Sequence, residues 1–97
     1  MTDRELLEAA AKAAGLTIGA WSDNYGAFMY RGVEPGKSWW NALTDDGDAL
    51  RLAVKLALFE SFDFSLKISA ACSEDDPCAA TRRAIVRAAA EILKDMP

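Results

Sequence analysis

The sequence has 97 residues, an apolar fraction of 52% and a formal net charge of −4 at pH 7. This length predicts one domain, residues 1–97, around one hydrophobic core, which is thin because much of the apolar fraction is alanine. The negative charge disfavours nucleic acid and anionic membranes as partners, and no span of about 20 apolar residues or basic leader is present, so we expect a soluble, non-exported protein.

The first predicted element is an α-helix at residues 3–14. Thr2 and Glu5 have the spacing of a capping box, and apolar residues follow on one side of the helix. Gly15 provides a left-handed stop, and Leu16 can make the apolar contact of a Schellman end.

A β-hairpin is predicted after this helix. Residues 17–21 are β-prone, residues 22–26 are typical of a turn, and residues 27–31 alternate around two aromatic side chains. Residues 32–41 contain two glycines and a proline before Trp39 and Trp40, and they predict a loop that ends in two large aromatics.

A second helix is predicted from about residue 45, with Thr44 or Asp45 as its cap and three aspartates in its first turn. Arg51 and Lys55 form a narrow polar row on it. The apolar side of this helix is formed by Leu50, Ala53, Val54 and Ala57 and is widened by Leu52 and Leu56. An apolar side this wide predicts that other elements pack on the helix from more than one side.

The second half of the chain predicts a strand and a third helix. Residues 62–70 alternate apolar and polar side chains, which is typical of a strand with one wet face. Asp76 and Pro77 begin a helix that runs to about Asp95. We therefore expect an α+β fold, with three helices packed on both sides of a small, mainly antiparallel sheet, in the order helix, hairpin, helix, strand or strands, helix.

The cysteine and acidic residues indicate no metal site. Cys72 and Cys78 lie six positions apart in a chain without histidine, so we interpret them as reduced thiols of a cytoplasmic protein, with a local disulfide as the alternative. The acids at residues 45–48 and 74–76 are interpreted as helix caps, with cation binding as the alternative, because their spacing does not fit a calcium loop.

The usual catalytic arrangements cannot be assembled from these residues. Histidine is absent and no Gly-x-Ser-x-Gly elbow occurs, so no nucleophile with its base is visible. Paired carboxylates are conceivable, but no pair stands out among the fifteen acids. We expect a non-enzymatic protein without a cofactor.

Aromatic residues in turns and loops are the first candidates for a binding surface. One of Trp39 and Trp40 is expected to fill the core, which would leave its neighbour facing outward as an interface residue. The candidates are Trp21, Trp39, Trp40, Tyr25 and Tyr30, with Arg31 and Lys37 nearby.

The basic cluster Arg82, Arg83 and Arg87 on the third helix is the second candidate. Glu91 and Asp95 continue the same row, which favours a solvated face with salt bridges. An anion or nucleotide site is the alternative.

Three segments resemble the phage ABA sandwich domain family, which comprises small proteins of tailed phages and prophages. They are M-T-D-R-E-L-L-E-A-A-A-K-A-A-G at the start, W-N-A-L-T-D-D-G-D-A-L-R-L-A-V-K-L from Trp40, and D-P-C-A-A-T-R-R-A-I-V-R-A-A-A-E-I from Asp76. The chain departs from the family at Ala42, where proline is common, and between Phe59 and Cys72, which is short for a second hairpin.

The resemblance implies helices on both sides of a small sheet and a gene product that acts in the cytoplasm of the host bacterium. It brings no catalytic residues. Together with the loop aromatics, it favours a phage accessory protein that binds a host or phage protein or forms a homodimer. The alternative is a binder of small nucleotide-type ligands, with an arginine of the third helix on the phosphate and a tryptophan on the base.

Overall fold

The computed structural model describes residues 2–32 and 35–96. Residues 33 and 34 of the predicted loop lie outside the described residues. The elements are α1 (Asp3–Ala13), β1 (Ile18–Ser22), β2 (Ala27–Tyr30), β3 (Trp39–Trp40), α2 (Asp46–Lys55), a 3₁₀ turn (Leu58–Glu60), α3 (Phe62–Ala71) and α4 (Pro77–Asp95). The predicted α+β class is confirmed, although the described chain contains four α-helices and not the expected three.

Helix α1 begins and ends as the sequence predicts. The Oγ1 of Thr2 accepts the N–H of Glu5, and the Glu5 carboxylate accepts the N–H of Thr2, which completes the capping box. At the other end, Gly15 has a φ of 69° and Leu16 donates its N–H to the carbonyl of Ala11 at 2.9 Å. These contacts form the predicted Schellman end.

The sheet is antiparallel in the order β1-β2-β3. The predicted hairpin is confirmed, but the predicted loop is wrong at Trp39–Trp40, which form the short third strand. Trp40 pairs with Phe28 and Trp39 pairs with Met29. Tryptophan is β-prone, and this pairing outweighs the loop-like composition of the residues before it.

The two faces of the sheet have different environments. Cross-strand partners point to the same face, so Trp21, Phe28 and Trp40 share one face, where they join the core with helix residues. Met29 and Trp39 lie on the opposite face, where Met29 is exposed. In the described chain the helices therefore cover one face of the sheet and not the two that were expected.

The strand predicted at residues 62–70 is wrong, because this segment forms helix α3. The Oγ of Ser61 accepts the N–H of Phe64 at 3.2 Å and caps the helix. Phe64 and Ile68 are one turn apart and pack into the core, whereas the other two large apolar residues of the segment are exposed. The alternation of apolar and polar residues therefore does not correspond to burial.

Helix α2 begins as predicted, and the predicted apolar side is buried only in part, at Leu52 and Ala53. Asp45 accepts the N–H of Asp48 at 2.8 Å and caps the helix. Leu50 and Val54 were placed on the buried side and are exposed. The side that contacts the core is formed by Ala49, Leu52 and Ala53. Two alanines at this contact allow a close approach to α4.

Helix α4 is the common partner of the other helices and packs against α1, α2 and α3. It starts as predicted, with Asp76 accepting the N–H of Ala79 at 3.1 Å and Pro77 in the first turn. Ile85, Val86 and Ala89 are buried in the core. Within residues 2–32 and 35–96, no helix has both the length and the apolar character that a bilayer span requires.

Candidate functional site

The predicted aromatic candidates lie on both faces of the sheet. Trp40 is buried in the core, and Trp39 next to it lies on the opposite face. The prediction that one of this pair fills the core is thus confirmed. Trp21 and Tyr30 are half-buried and also contact the core, so they lie on the opposite side of the sheet from Trp39.

Trp21 is held by contacts on several sides. Its ring meets the edge of Phe28 with centroids 4.9 Å apart, and the guanidinium of Arg4 lies 5.9 Å from its ring centre. Its indole N–H donates to the carboxylate of Asp23 at 3.0 Å. These contacts hold the half-buried ring of Trp21 against the core.

The open face of the sheet carries a compact surface of four residues, Tyr25, Met29, Arg31 and Trp39, which we call the aromatic face. Tyr25 stacks on Trp39 with ring centroids 4.4 Å apart and an interplanar angle of 24°. Tyr25 is 68% exposed and Met29 is 40% exposed. Arg31 follows Tyr30 at the end of β2 and is exposed as well.

Gly19 makes room for this surface. A β-carbon at Gly19 would lie 2.8 Å from the Nε of Arg31 and 3.2 Å from the Cβ of Met29. Both distances are shorter than an ordinary contact between heavy atoms. The glycine therefore lets Arg31 lie beside Met29 on the aromatic face.

The hairpin turn places Tyr25 over β3. The N–H of Tyr25 donates to the Oγ of Ser22 at 3.3 Å, and Gly26 adopts a positive φ of 59°. Asn41, directly after β3, donates through its Nδ2 to the carbonyl of Gly26 at 2.6 Å. The turn is thereby fixed to the end of β3, which holds Tyr25 next to Trp39.

Lys37 was expected to help this surface, but its ammonium group pairs with the carboxylate of Asp48. Asp48 is only 2% exposed and also accepts the Nη2 of Arg51 and the N–H of Asn41, each at 2.9 Å. The sequence suggested a helix-start role for Asp48, with cation binding as the alternative. No local signal indicates this buried ion pair, because its partners are brought together by the tertiary fold.

The arginines of α4 form ion pairs with other helices. Arg82 donates from Nε to the carbonyl of Leu43 at 2.8 Å and from Nη1 to Asp46 at 2.6 Å. Arg83 donates to both carboxylate oxygens of Asp3, at 3.1 and 3.3 Å. The predicted salt-bridged character of this cluster is confirmed for these two arginines, although their partners lie on α1 and α2 and not along α4.

The Arg83 pair changes the acidity of Asp3. The hydrogen bonds from Arg83 hold the pKa of Asp3 below its ordinary value, with a smaller opposing effect from partial burial. The positive charges of Arg83 and Arg87 act in the same direction as the hydrogen bonds. Asp3 is therefore charged at neutral pH and links the start of α1 to α4.

The predicted nucleotide site is not assembled by the α4 arginines. Arg83 and Arg87 line a groove together with Lys67 and with Glu74 and Glu91, so cations and acids alternate there. Arg82 lines a separate, mostly apolar groove. Neither groove contains a tryptophan, and the phosphate and base contacts of the alternative function do not meet there.

One residue of each acidic cluster has the helix-capping role that the sequence suggested. Asp45 and Asp76 cap α2 and α4. Cys72 and Cys78 are exposed free thiols that flank the turn between α3 and α4. Among the described residues, no group of three or more cysteine or acidic side chains is placed to hold a metal ion.

The aromatic face thus offers stacking, apolar contact and one guanidinium, which are groups that are common at protein interfaces. The chain matches no protein-family model, no curated protein and no solved structure.

Proposed function

We propose that this chain is a non-enzymatic accessory protein of a phage or prophage, which acts in the cytoplasm of the host bacterium by binding a protein or itself. The aromatic face carries the proposal. On a sheet face that the described helices leave open, Tyr25 and Met29 are exposed, and Tyr25 stacks on the half-buried ring of Trp39. Exposed apolar and aromatic side chains that lie together are typical of interaction sites.

The composition of the surface favours a protein partner. Tyrosine, tryptophan and arginine are enriched among the residues that dominate protein interfaces, because they combine a large apolar area with a polar group. Arg31 beside Met29 adds one positive charge. We therefore expect the partner to present apolar side chains next to a carboxylate.

The edges of the sheet are less suited to binding by strand addition. β3 contains two residues, and β1 has an irregular register between Ile18 and Trp21. Short and bulged edge strands discourage the pairing of further strands. This supports binding through the face of the sheet over binding through its edge.

Two further observations support the proposed setting. The exposed free thiols of Cys72 and Cys78 fit a reducing compartment. The likeness of three segments to the phage ABA sandwich domain family supports a phage or prophage origin.

The proposal is tested by quantitative affinity capture from phage-infected bacteria with the full chain as bait. We expect a partner that Trp39→Ala recovers at least about tenfold less well, a loss of about 1.4 kcal/mol. Phe62→Ala is the matched control, because Phe62 is an aromatic residue that is 79% exposed on α3, away from the sheet. It should recover the partner at the wild-type level.

Two results would contradict the proposal. Recovery of the same partners by Trp39→Ala would remove the aromatic face as the binding surface. A wild-type chain that captures no partner and stays monomeric would show that the chain does not act by binding a protein or itself.

A further inference from the structure

The aromatic face is small, and its size limits what can bind there. The three strands contain five, four and two residues. At about 4.8 Å between strands and about 3.3 Å per residue, the face measures roughly 10 by 17 Å. This area of roughly 170 Å² is well below the area of about 800 Å² that each partner buries in a standard protein interface. A short linear segment therefore fits the face better than a folded domain does.

Two common ways of binding a linear segment do not fit this face. Strand addition needs a free and regular edge, whereas β3 contains two residues and β1 is irregular between Ile18 and Trp21. An amphipathic helix needs a deep apolar groove. Within residues 2–32 and 35–96, the grooves that border α2 and α4 are lined by none of the four residues of the aromatic face. A segment on this face is therefore bound through side chains that contact the exposed rings.

Proline-rich segments meet these conditions. They form a polyproline II helix without internal hydrogen bonds, and proline has no N–H that would need a strand edge. Proteins recognise such segments through surfaces lined by aromatic side chains. The rings of Tyr25 and Trp39 stack with centroids 4.4 Å apart, and the hydrogen bond from Asn41 to Gly26 fixes the turn that carries Tyr25. Because the rings are held in place before a partner arrives, binding costs less conformational entropy.

A cation without an ion-pair partner lies next to these rings. The guanidinium of Arg31 lies across β1, since a β-carbon at Gly19 would be 2.8 Å from its Nε and 3.6 Å from its Nη2. None of the ion pairs among the described residues includes Arg31.

The position of this cation sets the spacing of a matching ligand. Trp39 pairs with Met29, so Arg31 is the diagonal neighbour of Trp39, and such neighbours are about 7–8 Å apart. One turn of a polyproline II helix contains three residues and covers about 9 Å. An acidic residue three positions from a proline therefore reaches Arg31 while the proline contacts the rings.

We propose that the aromatic face binds a short proline-rich segment of a partner protein in the polyproline II conformation, with one acidic residue one helical turn from a proline. The proline packs against Tyr25 and Trp39, and the carboxylate pairs with Arg31. The inference rests on the proposed function and names the partner of the same surface. The net charge of −4 disfavours a longer acidic run. Because the contact area is small, we expect a dissociation constant between about 10 µM and about 1 mM.

The test is an NMR titration of the nitrogen-15-labelled full chain with synthetic peptides. The first peptide contains six prolines with a glutamate at each end. Its matched controls carry lysines in place of the glutamates or alanines in place of the prolines. We expect saturable shifts of the amides of Met29 and Arg31 and of the indole N–H of Trp39. The lysine peptide should bind at least about fivefold more weakly, and the alanine peptide at least about tenfold more weakly.

Two variants with matched controls test the assigned contacts. Tyr25→Ala should weaken binding of the first peptide at least about tenfold, whereas Phe62→Ala, at a residue that is 79% exposed on α3, should change it less than about twofold. Arg31→Glu should reverse the charge preference, so that the lysine peptide binds better than the glutamate peptide. Lys94→Glu makes the same change of charge in the last turn of α4 and should keep the preference. Circular dichroism verifies that each variant is folded.

The outcomes separate this inference from the proposed function. The inference is overturned if the first peptide gives no saturable shifts up to about 5 mM, if its shifts lie away from the aromatic face, or if the alanine peptide binds equally well. It is also overturned if Arg31→Glu leaves the charge preference unchanged. A partner that is captured through Trp39 while the peptides do not bind overturns this inference alone. Peptide binding at the aromatic face without a captured partner supports the inference and contradicts only the proposed function.

Discussion

The buried carboxylate of Asp48 provides the sharpest test of how this fold is held together. It lies between the loop before β3 and the first turn of α2, and it pairs with Lys37 and Arg51 while accepting the N–H of Asn41. Asp48→Asn keeps the shape and one acceptor oxygen for Asn41 but removes the charge. The ammonium group of Lys37, whose side chain is only 16% exposed, then lacks its counterion.

The expected cost is about 2–4 kcal/mol of unfolding free energy. Breaking a buried ion pair by removing one partner costs about 3–5 kcal/mol. The Arg51 share is smaller, below about 1 kcal/mol, because half of that side chain is exposed and water screens it. For a domain of 97 residues with a total stability of about 5–15 kcal/mol, this is a large fraction.

The measurement is urea unfolding followed by circular dichroism, at protein concentrations low enough to avoid association. Asp63→Asn is the control, because Asp63 forms an exposed pair with Lys67 and should change stability by less than about 0.5 kcal/mol. The double variant Lys37→Met with Asp48→Asn should lose less stability than Asp48→Asn alone, since no buried ammonium group remains unpaired.

The reasoning is refuted if the unfolding free energy of Asp48→Asn lies within about 0.5 kcal/mol of the wild-type value. It is also refuted if the double variant is as unstable as the sum of the two single variants. Either result would mean that the charges at Asp48 do not interact as their geometry indicates.

Two smaller changes test local features. Ala57→Gly should stabilise the chain by about 0.5–1 kcal/mol, because Ala57 has a left-handed φ of 53° that glycine adopts without strain. The control is Ala70→Gly at an exposed position in helix α3, which should destabilise the chain by a similar amount. The urea midpoints of the two variants must therefore move in opposite directions. Asp3→Asn should cost a few tenths of a kcal/mol near neutral pH. The pKa of Asp3 in the folded state lies below its unfolded value, which is near 3.8. The contribution of Asp3 to stability is therefore present above pH 3.8 and is lost as the pH falls through the folded pKa. A difference in stability between wild type and variant that persists in strong acid would exclude the Arg83 pair as its cause.

The candidate site was only partly predictable. The sequence indicated that one tryptophan of the Trp39–Trp40 pair would face inward, since neighbours on an extended chain point to opposite sides. Which of them does so depends on the pairing with Phe28 and Met29, and these partners lie far away in the sequence. The sequence named Tyr25, Trp39 and Arg31 of the aromatic face as candidates, but the stack of Tyr25 on Trp39 and the place of Met29 on the same face follow from this pairing and not from a local pattern.

By itself, the sequence determined the ends of α1, the hairpin and the start of α4, because caps and turns are made by hydrogen bonds between residues only a few positions apart. Tertiary structure decided that residues 62–71 form a helix and that α2 turns Leu50 outward. It also decided that Asp48 is buried. An apolar pattern indicates only which residues can be buried. Which of them are buried depends on the neighbours that the fold brings to each side of the element.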